Sequence, residues 1–208
     1  MSDMHANSDA HIDHHENIDP QGNANLAVWL GLVSLTFMTA TFVGSNVYLR
    51  KWSPSKFQLD NSLLRNLPYV TVLLSVLAVL LLFVAAAFFK RDRWRPFRAV
   101  LALTTLVYLA QVIVQFNLML WFAGYSKQVA TIYAPTAVME FLLSVVCIVL
   151  LAGVGWYSAY GNKRMVNGYF PVAMNVWLYT AFSNVVILLV ENVVSVSQFA
   201  AWCGQHLT

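Results

Sequence analysis

Five long apolar runs divide the chain. They extend from Leu26 to Leu49, Leu67 to Phe89, Ala99 to Ser126, Pro135 to Tyr160, and Phe170 to about Ala201. Each exceeds the roughly 20 residues that a helix needs to cross the hydrocarbon core of a bilayer. The period-2 alternation of a membrane barrel is absent. A helix pairs its own backbone groups, whereas an open strand would leave them bare in lipid. The pattern predicts an all-α, polytopic membrane protein, a five-transmembrane-helix bundle over residues 26–208. Pro68 falls in the first turn of the second run, where its missing N–H costs nothing.

Aromatic residues mark the borders of the runs. Trp29, Trp52, Tyr69, Trp94, Tyr125, Tyr133, Trp156, Tyr160, Tyr169 and Trp202 fall near their ends, as an interfacial belt requires. Residues 1–25 differ from the rest. They hold no Lys or Arg, but they contain Asp3, Asp9, Asp13, Glu16 and Asp19 with His5, His11, His14 and His15. Too few apolar residues are present to form a core, so a disordered His/Asp-rich tail is expected. Without a basic n-region it does not read as a signal peptide.

Composition agrees with lipid as the solvent: 59% of the residues are hydrophobic and 10% charged. A soluble domain carries about 25% charged residues. The formal charge of +3 is small, and the basic residues sit in short connectors, so nucleic acid is not an expected partner. With the N-terminus inside, the inner connectors hold seven Lys and Arg and the outer ones five. The positive-inside rule then places the N-terminus in the cytoplasm and the C-terminus outside the cell's inner (plasma) membrane.

Candidate chemistry is sparse. None of the five runs contains a histidine, which argues against haem, copper or di-iron held by this chain within the membrane. Met38, Met119, Met139 and Met174 lie in the runs, where ordinary packing is the simpler role. Cys147 and Cys203 form no CxxC pair. His11, His14 and His15 are spaced closely enough to share a metal ion if the tail bends, although no Cys or fixed carboxylate completes a site.

Glu140 and Glu191 are the acidic residues of the apolar runs. An intramembrane carboxylate suggests a proton relay, an ion site or a buried polar contact. Glu140 falls in the first turns of the fourth run. Glu191 falls about 21 residues into the fifth, at 1.5 Å per residue, near the far interface. Both are therefore expected near the non-cytoplasmic side, as helix-packing or interfacial polar residues. Gln111 and Gln115 are four apart on one face of the third helix. With Asn117 they are expected to bond neighbouring helices. Ala40 and Gly44 form a small-xxx-small face suited to close helix packing.

The first run, from Ala27 through Trp29-Leu30 and Phe37 to Tyr48-Leu49-Arg50, resembles the opening helix of the five-helix bacterial subunit III of haem-copper terminal oxidases (cytochrome c or quinol oxidases). Trp29, Leu30, Leu32, Ser34, Phe37 and Arg50 match in register. A His-rich acidic tail before this helix and a basic Lys90–Arg98 turn also fit that family. The chain departs from it at Leu35, where the family carries a carboxylate. The stretch from Glu140 to Val146 lacks the family's histidines, and Val176-Trp177-Leu178-Tyr179 keeps only the aromatic character of the last helix.

The resemblance implies a divergent, non-catalytic subunit. It would pack against the catalytic subunit I and other oxidase subunits and would bind membrane lipids, with phospholipid retained in a cleft. Haem and copper would belong to the partner subunits. This chain would have no catalytic, cofactor-binding or metal site of its own, and would support electron transfer to oxygen coupled to proton pumping. Other readings are a structural subunit of another redox complex, such as a copper monooxygenase, and a small membrane transporter. The latter usually shows internal repeats, which five helices do not divide into.

Overall fold

A computed structural model describes residues 20–53, 56–57, 62–160 and 163–193. Five helices account for nearly all of them: α1 (Pro20–Trp52), α2 (Ser62–Lys90), α3 (Trp94–Gly124), α4 (Lys127–Ala159) and α5 (Lys163–Leu188). The last runs into a π-helical turn at Leu189–Val193. Each helix is long and apolar enough to cross a membrane, so the fold is that of a multi-pass, all-α membrane protein.

All five helices start earlier than their apolar runs: α1 at Pro20, α2 at Ser62, α3 at Trp94, α4 at Lys127 and α5 at Lys163. An apolar run reports where lipid begins. A helix continues into polar surroundings because its backbone bonds do not depend on side-chain polarity. Residues 20–25, expected in the tail, are thus helical. Pro68 is not in the first turn of α2 but inside the helix, as are Pro135 in α4 and Pro171 in α5. Each deprives the carbonyl four residues earlier of its usual donor, which membrane helices tolerate by local adjustment.

α2, α3, α4 and α5 form a closed ring in which each packs against the next and α5 returns to α2. The core of this ring includes Ala78, Leu82, Phe97, Tyr108, Leu151, Phe170 and Trp177. Trp177 is completely buried and its Nε1 donates to the Cys147 carbonyl at 3.2 Å. α1 stands outside the ring, against α4, α5 and the π-turn. Its buried residues are Leu32, Thr39 and Asn46, spaced by seven. That spacing gives one narrow seam, the geometry of a coiled-coil contact.

Tight connectors set the register. α2 ends with the N–H groups of Asp92 and Arg93 donating back to Phe89 and Phe88, and Asp92 has a φ of 56°. This is a Schellman ending with Asp where Gly is usual. Lys163 at the start of α5 forms an exposed ion pair with Asp92. Arg98 of α3 donates to the Ser158 carbonyl at the end of α4, satisfying one of the carbonyls a helix end leaves bare.

The Ala40–Gly44 face does not pack against another described helix. Both residues are exposed, and a Cβ added at Gly44 would meet nothing within 4 Å. The close approach occurs at Gly153, where an added Cβ would lie 2.9 Å from the Tyr169 hydroxyl and 3.1 Å from its ring. Gly153→Leu should therefore push α4 from α5 and cost about 1–3 kcal/mol through overpacking. Gly44→Leu should be close to neutral. Thermal melts of the two purified variants check this pair.

Candidate functional site

The polar residues of the helices collect mainly on two levels. At one level, Gln111 Nε2 of α3 donates to Ser144 Oγ of α4 at 2.9 Å, and Asn184 Nδ2 of α5 donates to Ser75 Oγ of α2 at 2.7 Å. Both pairs are fully buried and tie the ring across neighbouring helices. Gln111 thus bonds a neighbouring helix. Gln115 shares its face and is equally buried, but its amide has no hydrogen-bond partner. Asn117 points away. It is exposed, and its Nδ2 donates to Ile113 O of its own helix at 2.7 Å, so it bonds no neighbouring helix.

The second level is centred on Glu191. Its Oε1 accepts from Thr136 Oγ1 of α4 at 2.8 Å and from Asn46 Nδ2 of α1 at 3.2 Å. The Thr136 hydroxyl also lies 2.9 Å from the Tyr133 carbonyl. Its single proton serves one acceptor at a time, and the carboxylate is the stronger. Arg50 reaches in from the end of α1. Its Nη1 donates to the Glu191 main-chain carbonyl at 2.6 Å, a group the last turn of a helix leaves without an intrahelical donor. A π-turn widens the backbone at this point, a feature often found at functional sites.

Glu140 lies one turn beyond Thr136 on α4 and is buried, with 5% of its surface exposed. Because α4 begins at Lys127, Glu140 is about 20 Å along the helix at 1.5 Å per residue. That puts it within a turn of the helix midpoint rather than in the first turns. Glu140 and Glu191 line the same small pocket, with Thr136, Pro68, Leu118, Phe122 and Leu188 among its walls. The space holds about 10 Å³, the room of a single water molecule.

α1 itself is held by a ladder of polar contacts. Asn25 accepts from Asn175 at 3.5 Å, Thr36 donates to the Tyr179 hydroxyl at 3.2 Å, and Asn46 and Arg50 reach Glu191. Asn46 was not among the polar residues expected to bond neighbouring helices. The available signal was its spacing, since Leu32, Thr39 and Asn46 repeat every seven residues.

Among the described residues, no three His, Cys, Asp or Glu side chains gather as a metal site. His11, His14 and His15 lie outside the described residues. The two carboxylates, a hydroxyl and an amide nonetheless form a constellation that can hold a proton or a cation. Comparison with family models, curated proteins and solved structures finds no match to this chain.

Proposed function

We propose that the chain is a non-catalytic subunit of a membrane complex, resembling subunit III of haem-copper terminal oxidases. The observation that supports this most is the way α1, the helix carrying the resemblance, sits on the bundle. A narrow polar seam holds it, and its outward side presents Trp29, Leu30, Phe37 and Met38 to the surroundings. A helix fixed on one side and apolar on the other can pack against a larger subunit or against lipid. The five apolar runs contain no histidine, which fits a chain that leaves haem and copper to its partners.

In this reading the N-terminus is cytoplasmic and the C-terminus lies outside the plasma membrane. Phospholipid would fill the surface between α2 and α5, where Lys90, Lys163 and Asn167 border a cavity of about 310 Å³. The chain would support electron transfer to oxygen coupled to proton pumping without performing it.

Affinity purification of the tagged chain in mild detergent tests the proposal. A much larger polypeptide with haem in its reduced-minus-oxidised spectrum is the expected companion. A lone homo-oligomer without a haem signal overturns the reading. Deletion should leave an oxidase that assembles less well but retains its haem absorbance. A second reading, a small transporter, is favoured by the buried acid pair at Glu140 and Glu191. Loss of solute uptake with normal respiration would select it.

A further inference from the structure

We infer that the pocket between Glu140 and Glu191 takes up one monovalent cation, either sodium or a proton held on a carboxyl oxygen. Glu191 Oε1 is served by Thr136 and Asn46. Glu191 Oε2 and both oxygens of Glu140 receive no hydrogen bond from any described residue. Asn46, whose Nδ2 bonds Glu191 and which is 1% exposed, has its Oδ1 without a donor as well.

The surroundings supply none. The pocket walls contributed by α2 and α3 are Pro68, Leu118 and Phe122, and α5 adds Ile187 and Leu188 beside Glu191. Arg50 of α1 and Tyr133 of α4 are the other charged or titratable groups near Glu191. Arg50 directs its Nη1 to the main-chain carbonyl. Counting Arg50, two ionised carboxylates leave one net negative charge, and such a charge is expensive within a bilayer. A single positive charge cancels it.

Size and ligand type narrow the occupant. About 10 Å³ admits one water-sized particle. The facing ligands are side-chain oxygens, which suit hard cations. Calcium takes six to eight oxygens, and magnesium demands near-ideal octahedral geometry. With Arg50 counted, either divalent ion would leave the site one charge positive, so the charge balance selects a monovalent ion. In the sodium case, binding at a protonated site breaks one carboxylic O–H bond. The proton leaves to bulk water, and sodium takes its place on the oxygen lone pairs.

The full-length chain in lipid nanodiscs, with radioactive sodium as probe, provides the test. It is independent of any haem-bearing partner. The sodium arm expects one sodium per chain, at least tenfold weaker binding in Glu140→Gln, and one proton released per sodium bound. The proton arm expects no sodium uptake. Instead an infrared carboxylic C=O band should titrate with pH, shift with carbon-13 glutamate and vanish in Glu140→Gln. Glu140 accepts no hydrogen bond from any described residue, so Glu140→Gln should melt with the parent protein. Asn117→Leu, exposed and bonded only to its own helix, is the control. Absence of both sodium and the band, or either signal persisting unchanged in Glu140→Gln, overturns the inference.

Discussion

Replacing Glu191 with alanine should loosen α1 from the bundle and cost about 1–3 kcal/mol. The change removes the acceptor shared by Asn46 and Thr136. A donor left unpaired in a dry interior costs about 1–3 kcal/mol, but both donors keep a main-chain acceptor, Thr136 at the Tyr133 carbonyl (2.9 Å) and Asn46 at the Ile132 carbonyl (3.5 Å). In bilayers the measured worth of an interhelical hydrogen bond is smaller, averaging about 0.6 kcal/mol, because partially unfolded helices find other partners. The lower half of the range is therefore expected. The Asn25–Asn175 and Thr36–Tyr179 contacts and the bond from Arg50 to the Glu191 main-chain carbonyl still restrain α1, which also keeps the loss in that lower half.

Glu191→Gln retains a carbonyl oxygen for both donors and should lose less than half as much. A cysteine pair at Thr36 and Tyr179, joined across the α1–α5 contact, reports the detachment as slower cross-linking. Equal cross-linking in all three proteins would show that Glu191 does not hold α1.

Trp177→Ala should be the most damaging core substitution, at about 2–4 kcal/mol. The indole is fully enclosed, packs against Phe170 at a ring-centre distance of 5.8 Å and donates to the Cys147 carbonyl. In soluble proteins Trp→Ala in a core costs about 3–5 kcal/mol. Part of that is transfer from water, which a membrane protein does not gain, because lipid is as apolar as the core. Lost packing and the unmade hydrogen bond remain. Trp156→Ala, at a site 64% exposed, should stay within about 0.5 kcal/mol. Unfolding of both variants in a denaturing detergent titration checks the contrast. Similar losses at the two positions would mean that burial in the ring is not what stabilises α5.

The five spans were legible because their cause is local. A run without charges identifies its solvent wherever it lies, and lipid admits helix as the local solution. The pairing of Gln111 and Gln115 on one face was also legible, since helix period alone places them there. Helix starts were less legible. Apolar composition marked Pro135 as an opening, while α4 begins at Lys127. That difference moved Glu140 from a shallow position to the middle of the helix. The outward turn of Asn117 and the open Ala40–Gly44 face depend on which side of a helix its neighbours occupy. The resemblance in α1 rests on residues that mostly face outward, such as Trp29 and Phe37.

The sequence by itself determined that this protein is helical, that it meets lipid along five segments, and that Glu140 and Glu191 are its intramembrane acids. Hydropathy and backbone hydrogen bonding decide these within one segment at a time. Only the tertiary structure decided that Asn46, Thr136 and Glu191 meet, that Glu140 lines the same pocket without a donor, and that α1 stands outside a ring of four. Those residues come from segments separated by as many as 145 positions. In lipid, where apolar faces are nearly interchangeable, lateral order depends on side-chain fit and on the few polar groups that must find one another.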